Sequence, residues 1–152
     1  MNKQDFIIRK LNDLIELDYD AIEAYEEAIQ RLQSTDYKSQ LAAFCADHER
    51  HTLNLGLIVT ALGGTPATGP DLMRVLTKGK VVLADLVGHD HTILLAMRAN
   101  EAVTNKRYEL ALEVDGMDEG TRAQVRENLG DERRHRDWID AQLEKHKTRK
   151  AA

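Results

Sequence analysis

The sequence predicts an all-α fold: a four-helix bundle made of two antiparallel hairpins, joined by a long crossover that carries a short extra helix. Three observations point there. Apolar residues recur at three- and four-residue spacing along four long stretches. The only prolines, Pro66 and Pro70, sit close together and leave the rest of the 152 residues free for helix. The links between the four stretches run short, long, short, which pairs the helices as two hairpins.

The first helix is expected over 3–33, with Leu11, Leu14, Ile15, Ile22, Ile29 and Leu32 as its apolar stripe. Ser34-Thr35-Asp36 offers a turn with N-cap chemistry. The second helix is expected over 37–62, with Leu41, Phe44, Cys45, Leu55, Ile58, Val59 and Leu62 inward. Gly63-Gly64-Thr65-Pro66 stops it, glycine supplying the left-handed cap. Thr68-Gly69-Pro70-Asp71 opens a short helix over 71–86 within a crossover of about 64–90. Asp90 is expected to cap the third helix, over 91–114, with Leu94, Met97, Ala111 and Leu112 inward. Asp115-Gly116-Met117-Asp118 breaks the chain again. The fourth helix follows over 119–147, with Val125, Leu129, Trp138, Ile139 and Leu143 inward. Gly130 interrupts it at a cost of ~1 kcal/mol, and reads as a point of close helix approach.

The length suits one domain, 1–152. Hydrophobic residues at 42% and charged residues at 31% describe an ordinary soluble chain, neither disordered nor membrane-like. A net charge of −5 provides no basic face for duplex nucleic acid. The basic run Lys145-His146-Lys147-Thr148-Arg149-Lys150 reads as a solvated helix end that suits the macrodipole. No apolar run approaches the ~20 residues of a membrane span, and no secretory signal opens the sequence. Nucleic acid and membrane are therefore set aside as partners, and the cytoplasm is the expected location. The single cysteine, Cys45, excludes an internal disulfide framework.

Extended by heptads, each stripe meets ionisable residues. Positions 11, 18, 25 and 32 read Leu, Asp, Tyr, Leu. In the second helix His48 and His51 fall between Phe44 and Leu55. In the third, Glu101 follows Met97, and in the fourth, Glu132 and His135 stand between Leu129 and Ile139. All six lie near helix midpoints, which share one layer in an antiparallel bundle. Asp18, His48, His51, Glu101, Glu132 and His135 should therefore meet at the centre. An unpaired charge there would cost several kcal/mol. Three carboxylates and three imidazoles could pair as ions, or could ligate iron, manganese or zinc. The i, i+3 spacing puts His48 with His51, and Glu132 with His135, on one helix face. Glu16, Glu23, Glu26, Glu27 and Glu49 leave the stripes and read as solvated. Cys45, one turn from His48, reads as an inert buried thiol rather than a zinc ligand. His89 and His91 lie far along the axis and read as an exposed cap.

At these residues the sequence resembles the ferritin-like superfamily of rubrerythrins and bacterioferritins, and above all its small uncharacterised bacterial members. The superfamily pattern has a carboxylate on the first and third helices and Glu-x-x-His on the second and fourth. Glu132-Arg133-Arg134-His135 matches in full. Glu101, with Tyr108 seven residues on, stands on the third helix; Asp18, then Ala21 and Tyr25, stand on the first. Leu62-Gly63-Gly64-Thr65-Pro66 ahead of a crossover helix also resembles the small bacterial members. The resemblance spans nearly the whole chain. It implies that Asp18, His48, His51, Glu101, Glu132 and His135 bind one or two transition-metal ions, iron foremost, with zinc or manganese as alternatives. Tyr25 and Tyr108 would stand beside them as hydrogen-bond or electron donors. The hairpins are also alike: Asp18…Tyr25…His51 parallels Glu101…Tyr108…His135, as an internal duplication would leave them.

Two positions depart from the pattern. His48 stands where the superfamily has a metal-bridging glutamate, and Asp18 is one methylene shorter than the usual glutamate. Asp18, Glu101 and Glu132 bring a charge of −3, one short of balancing two divalent ions. A single ion, a zinc site and a two-metal site with added hydroxide all stay open. The chemistry the resemblance implies is iron oxidation, or reduction of O₂ or peroxide. If the chain is an enzyme, it is then a di-metal oxidoreductase that draws on an external electron donor, since no CxxC module is present. The other reading is a non-catalytic scaffold or stress-related bundle whose polar layer fixes helix register. The outer faces of the hairpins offer a surface for a homodimer. Proton competition for ordinary imidazoles would weaken metal binding below about pH 6.

Overall fold

A computed structural model describes residues 2–71 and 89–152. Among the described residues the regular structure is four helices: α1 (Lys3–Arg31), α2 (Thr35–Ala61), α3 (Asp90–Leu112) and α4 (Glu119–Ala151). The short helix expected over 71–86 lies, beyond Asp71, outside the described residues.

Local chemistry sets the helix ends. The Asn2 side chain accepts a hydrogen bond from the Asp5 amide at the start of α1. Ser34 Oγ accepts from the Tyr37 amide, so α2 begins at Thr35, two residues before its expected start. Gly63 at φ 79° and Gly116 at φ 83° take the left-handed conformation after α2 and before α4. Asp118 caps α4 by accepting from the Thr121 amide at 3.0 Å. Nothing in the sequence after Lys147 breaks a helix, and α4 continues to Ala151.

One cap differs from expectation. The N-cap of α3 is His89, which makes no side-chain capping bond, while Asp90 is already helical. The Asp90 carboxylate instead accepts from the backbone amides of Gln33 and Ser34, at 2.7 and 2.9 Å. The tight turn between α1 and α2 has amides with no helical acceptor of their own, and Asp90 stands where it can satisfy them.

That contact also fixes the topology. Leu62 accepts from Gln4 Nε2, and Asn12 bonds the backbone of Thr65 and Ala67, so the chain leaves α2 beside the start of α1. It rejoins the bundle at Asp90, beside the end of α1. The link therefore joins opposite ends of the bundle, the one-crossover arrangement expected from its length. α1 packs on α2 and on α3, and α4 packs on α3 and on α2. Every packed pair is antiparallel: Tyr25 meets Glu101 while Tyr108 meets Asp18, and Asp47 meets His135 while Asp131 meets His51.

The apolar interior divides in two. One cluster gathers Ile7, Leu11, Leu14, Ile15, Leu55, Val59, Val125 and Leu129 towards the start of α1. The other gathers Leu32, Leu41, Phe44, Ile93, Leu94, Met97, Ile139 and Leu143 towards its end. The residues between these clusters along each helix are the ionisable ones. Ile22, Ile29, Ile58, Leu62, Leu112 and Trp138 are only partly buried and edge the clusters.

Two glycines test this packing. A Cβ on Gly64 would sit 2.7 Å from Ile8 Cγ2 and 3.1 Å from Val59 Cγ1, so the post-α2 turn needs glycine to lie against α1. Gly130 does not mark a close approach, contrary to the sequence reading: it is exposed, and an added Cβ would meet nothing within 4 Å. Gly130→Ala should therefore stabilise the protein by up to ~1 kcal/mol through helix propensity alone. Gly64→Ala should destabilise it by ~1–3 kcal/mol through overpacking. Urea denaturation of the two variants checks both signs.

Candidate metal centre

Six ionisable side chains from all four helices meet between the apolar clusters. Asp18, His48, His51, Glu132 and His135 are fully buried and Glu101 is 1% exposed. Their ligand atoms form two overlapping groups, each with all atoms within 4.8 Å of one another. One is Asp18, His48, His51 and Glu132; the other is His48, Glu101, Glu132 and His135. The sequence placed these six residues in one layer, and the structure brings all six together.

The first group is the tighter. His48 Nδ1 donates to Asp18 Oδ1 at 2.8 Å and lies 3.3 Å from Glu132 Oε1. His51 Nδ1 lies 3.5 Å from Asp18 Oδ1 and 3.2 Å from Glu132 Oε1. A tetrahedral ion with bonds of ~2.0–2.1 Å would space its ligands by about 3.3 Å, so these four atoms are nearly at ligand spacing. In the second group Glu101 Oε1 stands 3.7 Å from both His48 Nε2 and His135 Nδ1. Among the described residues, His48 Nε2, His51 Nδ1, His135 Nδ1 and both Glu132 carboxylate oxygens have no hydrogen-bond partner. Buried polar atoms are ordinarily satisfied. Five that face one layer fit a cationic guest.

The outer atoms of these groups are well bonded. The Tyr25 hydroxyl donates to Glu101, and the Tyr108 hydroxyl donates to Asp18 at 2.5 Å, each reaching from one hairpin to the other. His51 Nε2 donates to Asp131 at 3.0 Å and His135 Nε2 to Asp47 at 2.9 Å, again between hairpins. Each bond anchors the ring's outer nitrogen and turns Nδ1 inward, an arrangement that orients metal-binding histidines. Arg50 and Arg134 each bridge both aspartates, forming a four-charge strap over the α2–α4 seam.

No role is assigned to Asp47, Asp131, Arg50 or Arg134 from sequence alone, although the sequence carries a signal. Asp47-His48-Glu49-Arg50-His51 and Asp131-Glu132-Arg133-Arg134-His135 share Asp, Arg and His at the same offsets. The other candidates stay outside the centre. The Cys45 thiol points to the Ile22 carbonyl at 3.9 Å, and burial pushes its pKa up to about 11, which suits an inert thiol. His91 meets His146 edge to face, with ring centroids 5.1 Å apart, at the end of the bundle where α3 begins.

Burial and charge pull these groups in opposite directions. Burial raises Asp18 and Glu101, but the nearby imidazoles, His48 and His51 for the first and His135 and His48 for the second, outweigh it and hold both low. Burial lowers His48, yet Glu132, Asp18 and Glu101 raise it well above the ordinary imidazole value. His51 is likewise lifted, to about 9, by Asp18 and Glu132 against the pull of burial. Glu132 alone among the three carboxylates is raised, because desolvation exceeds the help of His48 and His51. Burial and the neighbouring carboxylates push Tyr25 and Tyr108 well above the usual phenol range, so both remain proton donors.

The family described as "Domain of unknown function (DUF2383)" matches residues 6–114. Among solved structures, one described as ferritin-like, diiron-carboxylate proteins from Bacillus anthracis str. Ames is 25% identical. It covers 94% of this chain and 99% of its own, with a TM-score of 0.77. The Desulfovibrio desulfuricans bacterioferritin, whose diiron site was captured in different catalytic states, is 22% identical. It covers 97% of this chain and 85% of its own, with a TM-score of 0.79. The fold is thus ferritin-like. No curated protein matches the chain.

The pKa shifts set a pH profile for the ion-free protein. Asp18, Glu101, Asp47 and Asp131 are lowered, so their stabilisation is present above 3.8–4.5 and is lost as pH falls through their folded values. His48 and His51 are raised, so theirs is present below 6.5 and is lost as pH rises, through about 9 for His51. Glu132 is a raised acid, and its contribution also declines as pH rises above 4.5. Chelator-treated protein should be most stable between 4.5 and 6.5 and should weaken steadily towards pH 9. Urea midpoints measured across that range check this; a flat profile from pH 6.5 to 9 would contradict it.

Proposed function

The chain belongs to the DUF2383 family, and from that premise and the geometry of its core we propose that it binds transition-metal ions, iron foremost, in the central polar layer. The observation that carries this reading is the convergence, in two four-residue groups, of five fully buried donor atoms that make no hydrogen bond among the described residues. The Bacillus anthracis relative, described as a diiron-carboxylate protein, supports iron as the first candidate. Mixed imidazole and carboxylate ligands also accept manganese or zinc.

Asp18, His48, His51 and Glu132 would hold one ion, and His48, Glu101, Glu132 and His135 a second. Bound iron would supply one-electron redox chemistry towards O₂ or peroxide. The chain's own residues do the rest. The carboxylates offset the cationic charge, and the apolar clusters on either side exclude water. Tyr25 and Tyr108 hold Glu101 and Asp18 by hydrogen bonds and keep their protons. Asp47 and Asp131 fix the histidine rings. The sequence has one cysteine, so a cysteine-ligated electron donor would be a separate molecule.

A second reading is favoured by the direct His48–Asp18 pair at 2.8 Å: the layer is partly self-satisfied and could serve only to lock helix register. Melting temperature separates the two. A site formed only in the folded state adds RT ln(1 + [M]/Kd), about 2.7 kcal/mol at a hundredfold excess over Kd. Chelator-stripped, untagged protein should melt higher with anaerobic Fe²⁺, or with Mn²⁺ or Zn²⁺. A Glu132→Gln, His135→Gln double variant should lose that shift. No shift in the wild type would favour the register-lock reading.

Two further outcomes follow. His48 and His51 hold protons well above pH 6 in the ion-free protein, so ions displace them and binding releases at least one proton per chain. Proton competition therefore sets in at higher pH than ordinary imidazoles imply. Calorimetry in buffers of different ionisation enthalpy measures the release. Asp47→Asn or Asp131→Asn should weaken metal binding by ~10–100-fold, the usual effect of freeing a ligating ring, as read from competition with a chromogenic chelator.

A further inference from the structure

His48 differs from the other two histidines of the layer in where its ring nitrogens point. His51 and His135 each turn one nitrogen outward, to Asp131 and Asp47, and one inward. Among the described residues His48 has no such outer carboxylate. Its Nδ1 faces Asp18 and Glu132, members of the first group. Its Nε2, with no hydrogen-bond partner among the described residues, faces Glu101 of the second. The ring is fully buried, wedged against Tyr25, His51 and His135 at centroid distances of 5.3, 5.6 and 5.3 Å.

Only His48 and Glu132 belong to both groups. They occupy equivalent places in the repeated Asp-x-x-Arg-His segment. Both carry two donor atoms: Oε1 and Oε2 in Glu132, Nδ1 and Nε2 in His48. Building on the metal-binding reading above, we infer that His48 is a bridging ligand, its Nδ1 taking the ion of the Asp18 group and its Nε2 the ion of the Glu101 group.

The charge count agrees. Asp18, Glu101 and Glu132 supply −3. Each ring nitrogen that carries an N–H releases its proton to solvent as that bond's electron pair becomes the lone pair an ion takes, so a ring holding two ions keeps no N–H. The ring is then anionic, the total is −4, and two divalent ions are balanced. The lone pairs of an imidazole ring diverge, whereas those of a bridging carboxylate can run side by side. Two ions joined by His48 should therefore stand farther apart than the ~3.5–4 Å of common two-metal sites, with Glu132 meeting them through its diverging lone pairs.

Copper(II) is a suitable probe because an isolated ion is paramagnetic and two joined through a conjugated ring couple antiferromagnetically. Chelator-stripped protein is titrated with Cu²⁺, with bound metal counted by elemental analysis and electron paramagnetic resonance read at each step. The wild type should bind two ions; the signal should grow with the first and fall with the second, and a half-field transition should appear. His48→Gln, which offers one donor to one ion, should bind one ion with an uncoupled spectrum. His48→Glu should again bind two, more closely spaced. A wild-type signal that simply doubles at the second ion, or a wild type that stops at one ion, overturns the bridge while leaving metal binding intact. A second ion retained by His48→Gln with unchanged coupling also overturns it. Binding of no ion at all overturns the metal-binding reading itself. If His48→Gln fails to fold, as circular dichroism would show, the wild-type titration decides alone.

Discussion

Six ionisable groups are removed from water at the middle of the bundle, and most of the side-chain hydrogen bonds between the hairpins answer to that burial. A charge stripped of solvent has to find a partner or lose its proton. Here the partners come across the hairpin boundary. Tyr25 on α1 reaches Glu101 on α3, Tyr108 on α3 reaches Asp18 on α1, and the histidine rings of α2 and α4 exchange hydrogen bonds with each other's aspartates. Sliding one helix by a single residue would move it ~1.5 Å along its axis and rotate its face by about 100°. Two of these bonds would break at once. Register and site are therefore set by the same contacts.

The contacts obey an approximate two-fold relation between hairpins. Asp47 and Asp131, Arg50 and Arg134, His51 and His135, Tyr25 and Tyr108 all correspond. The relation fails at His48 against Glu132, and in side-chain length at Asp18 against Glu101. Those are the positions where the two donor groups become chemically different: the Asp18 group is compact, with atom pairs at 2.8–3.5 Å, and the Glu101 group is looser, at 3.7 Å. A near-symmetric scaffold thus presents two unlike pockets.

How much of this could be read from the chain depended on the kind of signal. A polar residue in an apolar stripe is a violation of pattern, and such violations placed Asp18, His48, His51, Glu101, Glu132 and His135 without any coordinates. Helix ends were legible wherever glycine or a capping side chain acts on its own neighbours, as at Gly63, Ser34 and Asp118. What escaped was long-range. Asp90 looks like a local cap and instead serves the α1–α2 turn, 56 and 57 residues away in sequence. Asp47 and Asp131 look like ordinary surface acids, and only the fold shows that each orients a histidine of the other hairpin. Gly130 reads as a packing device because it stands mid-helix beside Glu132, yet its side of the helix faces solvent.

Neither hairpin carries a complete donor group. α1 and α2 hold three members of one and lack Glu132; α3 and α4 hold three of the other and lack His48. Each hairpin could form with its ionisable residues still wet, so the dehydration barrier falls on the moment the hairpins close face to face. On the α2–α4 side, among the described residues, a guest is covered only by the strap of Asp47, Arg50, Asp131 and Arg134, so its residence time would depend on how often that charged latch opens as well as on the strength of its ligands.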